Sequence, residues 1–162
     1  MDWKNLFLTA DSRIGKRDFW IGFLILFVAN IVLSLIPVIG WLVSLALMYP
    51  MVCLYSKRLH DFGKTGWLTL VPFVAFFGAM VVGGLTGGMA LLGMGAAGSD
   101  AAAASAAVAG LGMFGGLMAL AGLISLGFLL WVGLTNGDPG ENRYGLPPVS
   151  LTGGPASPPT VV

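Results

Sequence analysis

Between Asp18 and Lys57 the chain runs through 38 residues without a charged side chain. No charge interrupts Thr65–Ser99 or Ala101–Gly137 either. Uncharged apolar runs above about 18 residues are candidates for membrane crossing. Composition agrees, with 9% charged residues, 57% hydrophobic residues and a mean hydropathy of +0.91. Soluble domains average roughly 25% charged. At 162 residues a single domain is expected.

The first run is too long for one crossing. At about 1.5 Å per residue it would reach roughly 57 Å, against a hydrocarbon core of about 30 Å. Pro37 and Gly40 are the strongest helix breakers within it and predict a turn over Ile36–Gly40. Two spans follow, over 19–36 and 40–56. Asp100 divides the second apolar half, and a carboxylate at mid-bilayer would cost roughly 2.5–3.5 kcal/mol on insertion scales. It is therefore expected in a loop between spans at 67–90 and 108–134. The expected fold is all-α, a polytopic membrane protein with four transmembrane helices in two hairpins. Residues 1–145 make up that domain, and the proline-rich segment 146–162 is expected to be a disordered tail.

With four spans, all eight basic residues fall on one side. Lys4, Arg13, Lys16 and Arg17 precede the first span, Lys57, Arg58 and Lys64 lie between the second and third, and Arg143 follows the fourth. The opposite loops carry none. The positive-inside rule then places both termini in the cytoplasm. No secretory signal is expected, because the first apolar run continues into a second helix without a small-residue cleavage site. Cys53 is the sole cysteine, which excludes an intrachain disulfide and a thiolate metal cluster.

Trp3, Leu6 and Phe7 have the spacing of one apolar helical face, so a short amphipathic N-terminal helix is expected in the membrane interface. Ser12 is the expected cap of a further short helix on which Arg13 and Arg17 share a face. Trp20, Trp67 and Trp131 fall at span ends, as interfacial anchors do. Residues 83–122 are rich in Gly and Ala. The pairs Gly83/Gly87, Gly84/Gly88 and Gly112/Gly116 permit close helix contact, and a homo-oligomer through these helices is one expectation.

Several motifs fall away. Gly93–Gly98 and Gly110–Gly115 match a dinucleotide fingerprint, but neither follows a strand or has the required acidic partner. Gly63-Lys64-Thr65 resembles the end of a phosphate loop whose first glycine would fall at Arg58. His60 and Asp61 are neighbours on a helix and point about 100° apart, so they cannot orient one another as base and carboxylate. One His and one Cys are too few for a zinc site. No cofactor, catalytic residue, metal ligand or nucleic-acid partner is expected.

The polar island Lys57–Trp67 reads well as a helix junction. Gly63 can take the left-handed conformation that ends a helix, Lys57 and Arg58 suit the negative end of that helix, and Thr65 can cap the next. Asp61 lies three residues from Arg58 and can pair with it, or with Arg13 or Arg17. The turn-rich segment Gly137–Gly145 brings Asn142, Arg143 and Tyr144 to the same side.

Three segments carry a family resemblance: Arg13-Ile-Gly-Lys-Arg17-Asp-Phe-Trp20, Arg58-Leu-His-Asp-Phe-Gly-Lys-Thr-Gly-Trp67 and Gly137-Asp-Pro-Gly-Glu-Asn-Arg-Tyr-Gly145. In that order they resemble the motifs of the domain-of-unknown-function 805 family of small bacterial inner-membrane proteins. Thr65 stands where serine is usual, and the Gly/Ala-rich stretch from Gly83 to Gly110 departs from the family's more compact crossing. The resemblance implies four spans and brings no established activity. The expectation is a non-enzymatic inner-membrane protein with a cytoplasmic polar face built from Arg13, Arg17, Arg58, His60, Asp61, Asn142 and Tyr144. That face would bind anionic lipid head groups or a protein partner. The alternatives are a small transporter or channel and a membrane enzyme acting on lipid phosphates.

Overall fold

The computed structural model describes residues 7–8, 11–36, 39–97 and 101–148. Four long helices follow in order: α1 (Lys16–Ser34), α2 (Ile39–Asp61), α3 (Leu70–Ala97) and α4 (Ala101–Leu134). A 3-10 turn over Gly66–Thr69 leads into α3. The all-α expectation holds, since no β-strand occurs among the described residues. An isolated bridge pairs Asn142 with Gly145.

Three helical stretches are long and apolar enough to cross a membrane, Lys16–Ser34, Gly66–Gly93 and Ala104–Leu134, among the described residues. No more than 22% of the most apolar window of each is buried. Large apolar side chains such as Leu92, Val108 and Leu123 face outward. This reverses the inside-apolar pattern of a soluble domain and fits a chain solvated by lipid. α3 and α4 run past the expected span ends, to Ala97 and from Ala101. The expected turn at Pro37, the loop at Asp100, the apolar face of Trp3 and Leu6, and the tail from residue 149 lie outside the described residues.

The chain forms two compact units. In the first, Met1–Thr69 with Trp131–Val162, α1 packs on α2. Phe19 is fully buried and meets the Tyr55 ring edge-on at 5.2 Å. Gly22 lets the helices close, because a Cβ there would come within 2.8 Å of Leu54 Cδ1. Further along, Asn30 Nδ2 donates to Ser44 Oγ at 3.2 Å. Pro50 lies inside α2 and removes the N–H that would bond the Ala46 carbonyl. The end of α4 joins this unit through Val132, fully buried, and Gly133, where a Cβ would meet the Trp20 indole at 2.6 Å.

In the second unit, Leu70–Leu130, α3 and α4 meet through glycine. A Cβ on Gly83 would stand 2.6 Å from Phe114 Cδ2, and one on Gly110 would stand 3.3 Å from Gly87 Cα. The Gly83/Gly87 pair is thus occupied by a helix of the same chain. Gly84, Gly88, Gly112 and Gly116 face open space.

Candidate functional site: a buried charge clamp at three helix ends

The site begins with how α2 stops. Gly63 is left-handed (φ +68°), its N–H donates to the His60 carbonyl at 3.2 Å, and the Lys64 N–H donates to Leu59 at 2.9 Å. These two bonds are the Schellman arrangement, which satisfies the last carbonyls of a helix. The chain then turns sharply, and the Trp67 N–H donates to Thr65 Oγ1 at 3.4 Å to open the 3-10 turn. Gly66 is pressed against α2, where a Cβ would lie 3.2 Å from His60 Nε2.

Lys57 and Arg58 are not exposed partners of their own helix end. Both are buried, at 1% and 0% relative exposure. The Arg58 guanidinium serves a different helix: Nε donates to the Val132 carbonyl at 3.2 Å and Nη2 to the Thr135 carbonyl, at the end of α4. Nη1 donates to Ile14 O at 3.3 Å and to Asp61 Oδ2. A cation on the unsatisfied carbonyls of a helix C-terminus is favoured by the helix dipole.

Arg13 approaches Asp61 from the other side. Its Nε and Nη2 each donate to Asp61 Oδ1 at 3.2 Å. Nη2 also donates to the main-chain oxygens of Asp61 at 3.0 Å and Asp138 at 2.6 Å, while Nη1 donates to Gly140 O at 2.8 Å and Gly145 O at 3.0 Å. One guanidinium therefore ties the end of α2 to the whole 138–145 turn. The Asp138 N–H adds a bond to the Asp61 carbonyl at 2.8 Å. Gly137 lies against the Asp61 carboxylate, where a Cβ would fall 2.6 Å from Cγ.

This grip depends on where α1 begins. Ser12 has φ 101°, which rules out the extended geometry of an N-cap, and Gly15 takes that place with φ −72° and ψ 166°. α1 starts at Lys16, so Arg13 and Arg17 do not share a helical face. Arg13 is buried at 6% and Arg17 is exposed.

Both Asp61 oxygens accept from guanidiniums, which can only donate, so the arrangement suits the ionised carboxylate. Burial pushes the Asp61 carboxyl up from its ordinary value, while Arg58 first and then Arg13 pull it back. Burial lowers Arg58, against the pull of Asp61. A guanidinium stays protonated through shifts of this kind.

The closing turn is held on the outside as well. Asn142 Nδ2 donates to the His60 carbonyl at 3.0 Å and to Asp138 Oδ2 at 3.1 Å, and Asn142 Oδ1 accepts from the Tyr144 N–H at 2.9 Å. The Tyr144 ring stacks on the His60 imidazole at 3.8 Å and 12°. His60 Nε2 faces Ser56 Oγ at 3.5 Å, and Nδ1 is enclosed with no well-formed hydrogen bond among the described residues. Burial lowers the His60 pKa, and Arg143 adds to this. The nearby Ser12 main chain and Asp11 carboxylate oppose it.

The structure thus joins Arg13, Arg58, His60, Asp61, Asn142 and Tyr144 into one network. The residues that sequence reasoning missed are Ser56, Gly137 and Asp138. Ser56 stands one turn before His60, which is a readable signal. Gly137 and Asp138 act through a missing side chain and a main-chain oxygen, which leave none. Asp61, the carboxylate nearest the histidine in sequence, is committed to two arginines. Among the described residues no three His, Cys, Asp or Glu side chains gather as a metal-ligand set.

The chain belongs to the family described as Protein of unknown function (DUF805), whose sequence model matches residues 7–146. The matched region contains the whole clamp. No curated protein matches the chain, and no solved structure does.

Proposed function

We propose that the chain is a four-span, non-enzymatic protein of the bacterial inner membrane, with residues 40–56 of α2 as the remaining crossing and both termini cytoplasmic. Its charged motif is an internal clamp that fixes three helix ends to one another. The cations around the clamp meet anionic head groups at the membrane surface.

One observation carries this reading: every nitrogen of the Arg13 guanidinium donates to an oxygen of the protein itself. Arg58 is engaged in the same way. Groups spent on the fold are not offered to a substrate, and a carboxylate locked between two cations is a poor general base. The clamp also supports the topology, because it draws the start of α1 and the ends of α2 and α4 to one end of their unit, where the positive-inside rule puts the basic residues.

Reporter fusions test the reading directly. Fusions after Lys64 and after Pro148 should report cytoplasm, and fusions near Val38 and Asp100 the opposite side. A C-terminus opposite to Lys64 would mean an odd number of crossings between them and would overturn the four-span arrangement. Wild-type thermal stability after Arg13→Gln would overturn the clamp.

A further inference from the structure

We propose that Arg143 and Lys64 form a binding site for the phosphate of an anionic phospholipid, with Trp67 setting its depth. The inference rests on the membrane reading above and gives its cationic rim a specific ligand.

The cations at this end differ in how their donors are used. Arg13 and Arg58 are buried and fully engaged. Arg143 is exposed, and among the described residues its side chain makes one hydrogen bond, which Nη2 donates to the Gly63 carbonyl at 3.0 Å. Its guanidinium lies over the Tyr144 ring at 4.8 Å, and that ring stacks in turn on His60. The fork is therefore held by one hydrogen bond and by a ring that is itself stacked, while the residue stays exposed. A planar guanidinium fixed in advance can bind phosphate through two parallel bonds and loses little freedom in doing so. Lys64 follows the glycine that Arg143 grips and is exposed, which adds a second cation one residue from the fork's anchor point.

The surroundings favour a lipid over a soluble phosphate. Trp67 is 77% exposed three residues from Lys64, and Leu146 is 72% exposed three residues from Arg143. Cations flanked by bare apolar side chains suit the boundary between head groups and acyl chains, where an indole is also most at home. Three carboxylates bear on the charge, and one of them, the exposed Asp11, acts on His60. Asp138 is occupied by Asn142 and lies against Gly63, whereas Glu141 is exposed on the same turn and offsets one cation.

Native mass spectrometry of the detergent-purified full chain, titrated with phosphatidylglycerol or phosphatidylcholine, tests the site. The wild type should retain phosphatidylglycerol preferentially. Lys64→Gln with Arg143→Gln should weaken that retention about 20- to 30-fold, from roughly 1 kcal/mol per surface cation at 1.4 kcal/mol per decade. Arg143→Lys should restore part of it. If the double variant fails to fold, Lys64→Gln alone should still show a loss of about 5-fold. Equal retention of the two lipids by the wild type, or an unchanged preference in the variants, would overturn the proposal. Displacement of the lipid by millimolar inorganic phosphate would assign the site to a soluble anion instead. Alkaline-carbonate extraction of the same protein separates the two levels. A protein released from membranes loses the membrane reading, whereas an integral protein without lipid preference loses only this inference.

Discussion

Arg13 holds Asp61 twice, through the carboxylate at 3.2 Å and through the main-chain oxygen at 3.0 Å. The double hold makes the pair a fastener between a helix end and a loop that are far apart in sequence. It also explains why a carboxylate sits among so many cations in a segment this short of charge.

Removing the carboxylate should be costly. Asp61→Asn leaves two buried guanidiniums facing a neutral amide, and breaking a buried pair on one side costs about 3–5 kcal/mol. The variant should melt well below the wild type in detergent, with loss of monodispersity on size exclusion. Retained stability would mean that the ion pairs do not hold the fold.

Glycine positions give a sharper contrast. Gly137→Ala would drive a Cβ into the Asp61 carboxylate, whereas at Gly140 a Cβ meets nothing within 4 Å. The first should destabilise by about 1–3 kcal/mol, the cost of overpacking, and the second should be close to neutral. Thermal melts of the two variants decide it, and equal effects would contradict the placement of the turn.

A similar pair tests the second unit. Gly110→Ala would meet Ala90 Cβ at 2.7 Å and the Thr86 carbonyl at 3.2 Å, whereas Gly112→Ala enters open space. Gly110→Ala should loosen the α3–α4 contact. Gly112→Ala should be neutral or stabilising by up to about 1 kcal/mol, from helix propensity alone. Limited proteolysis and melting curves report both.

Stability should depend on pH through His60, whose pKa burial lowers from its ordinary value of 6.5. As pH falls through that value the unfolded chain takes up the proton first. The histidine's contribution is therefore complete above about pH 6.5 and declines as pH drops toward the lowered folded-state pKa. Denaturation at pH 7.5 and 5.5 should show the wild type losing more stability than His60→Gln. An equal loss in both would remove His60 as the source.

Much of the frame was legible in the sequence because its cause is local. Charge-free runs mark α1, α3 and α4, Gly63 marks the end of α2, and the spacing of Arg58 and Asp61 puts them within reach on one helix. The rest depends on long-range contacts. Arg13 acts on main-chain oxygens more than a hundred residues away, and carbonyls carry no sequence signal. Lys57 and Arg58 look like exposed cations at a helix terminus, but both are buried, and the end of α4 rests on Arg58. Ser12 is a good capping residue by type, but its left-handed backbone lets Gly15 start the helix and frees Arg13 to turn inward.

The most direct test of the clamp is a double-mutant cycle between Arg13→Gln and Asp61→Asn, with unfolding free energies measured in detergent. Residues that share one network couple by about 0.5–3 kcal/mol. A buried pair with this geometry should fall in the upper half of that range, the second substitution costing far less once the first is made. Additive losses would show that Arg13 and Asp61 act independently, and the account of a clamp joining three helix ends would fail.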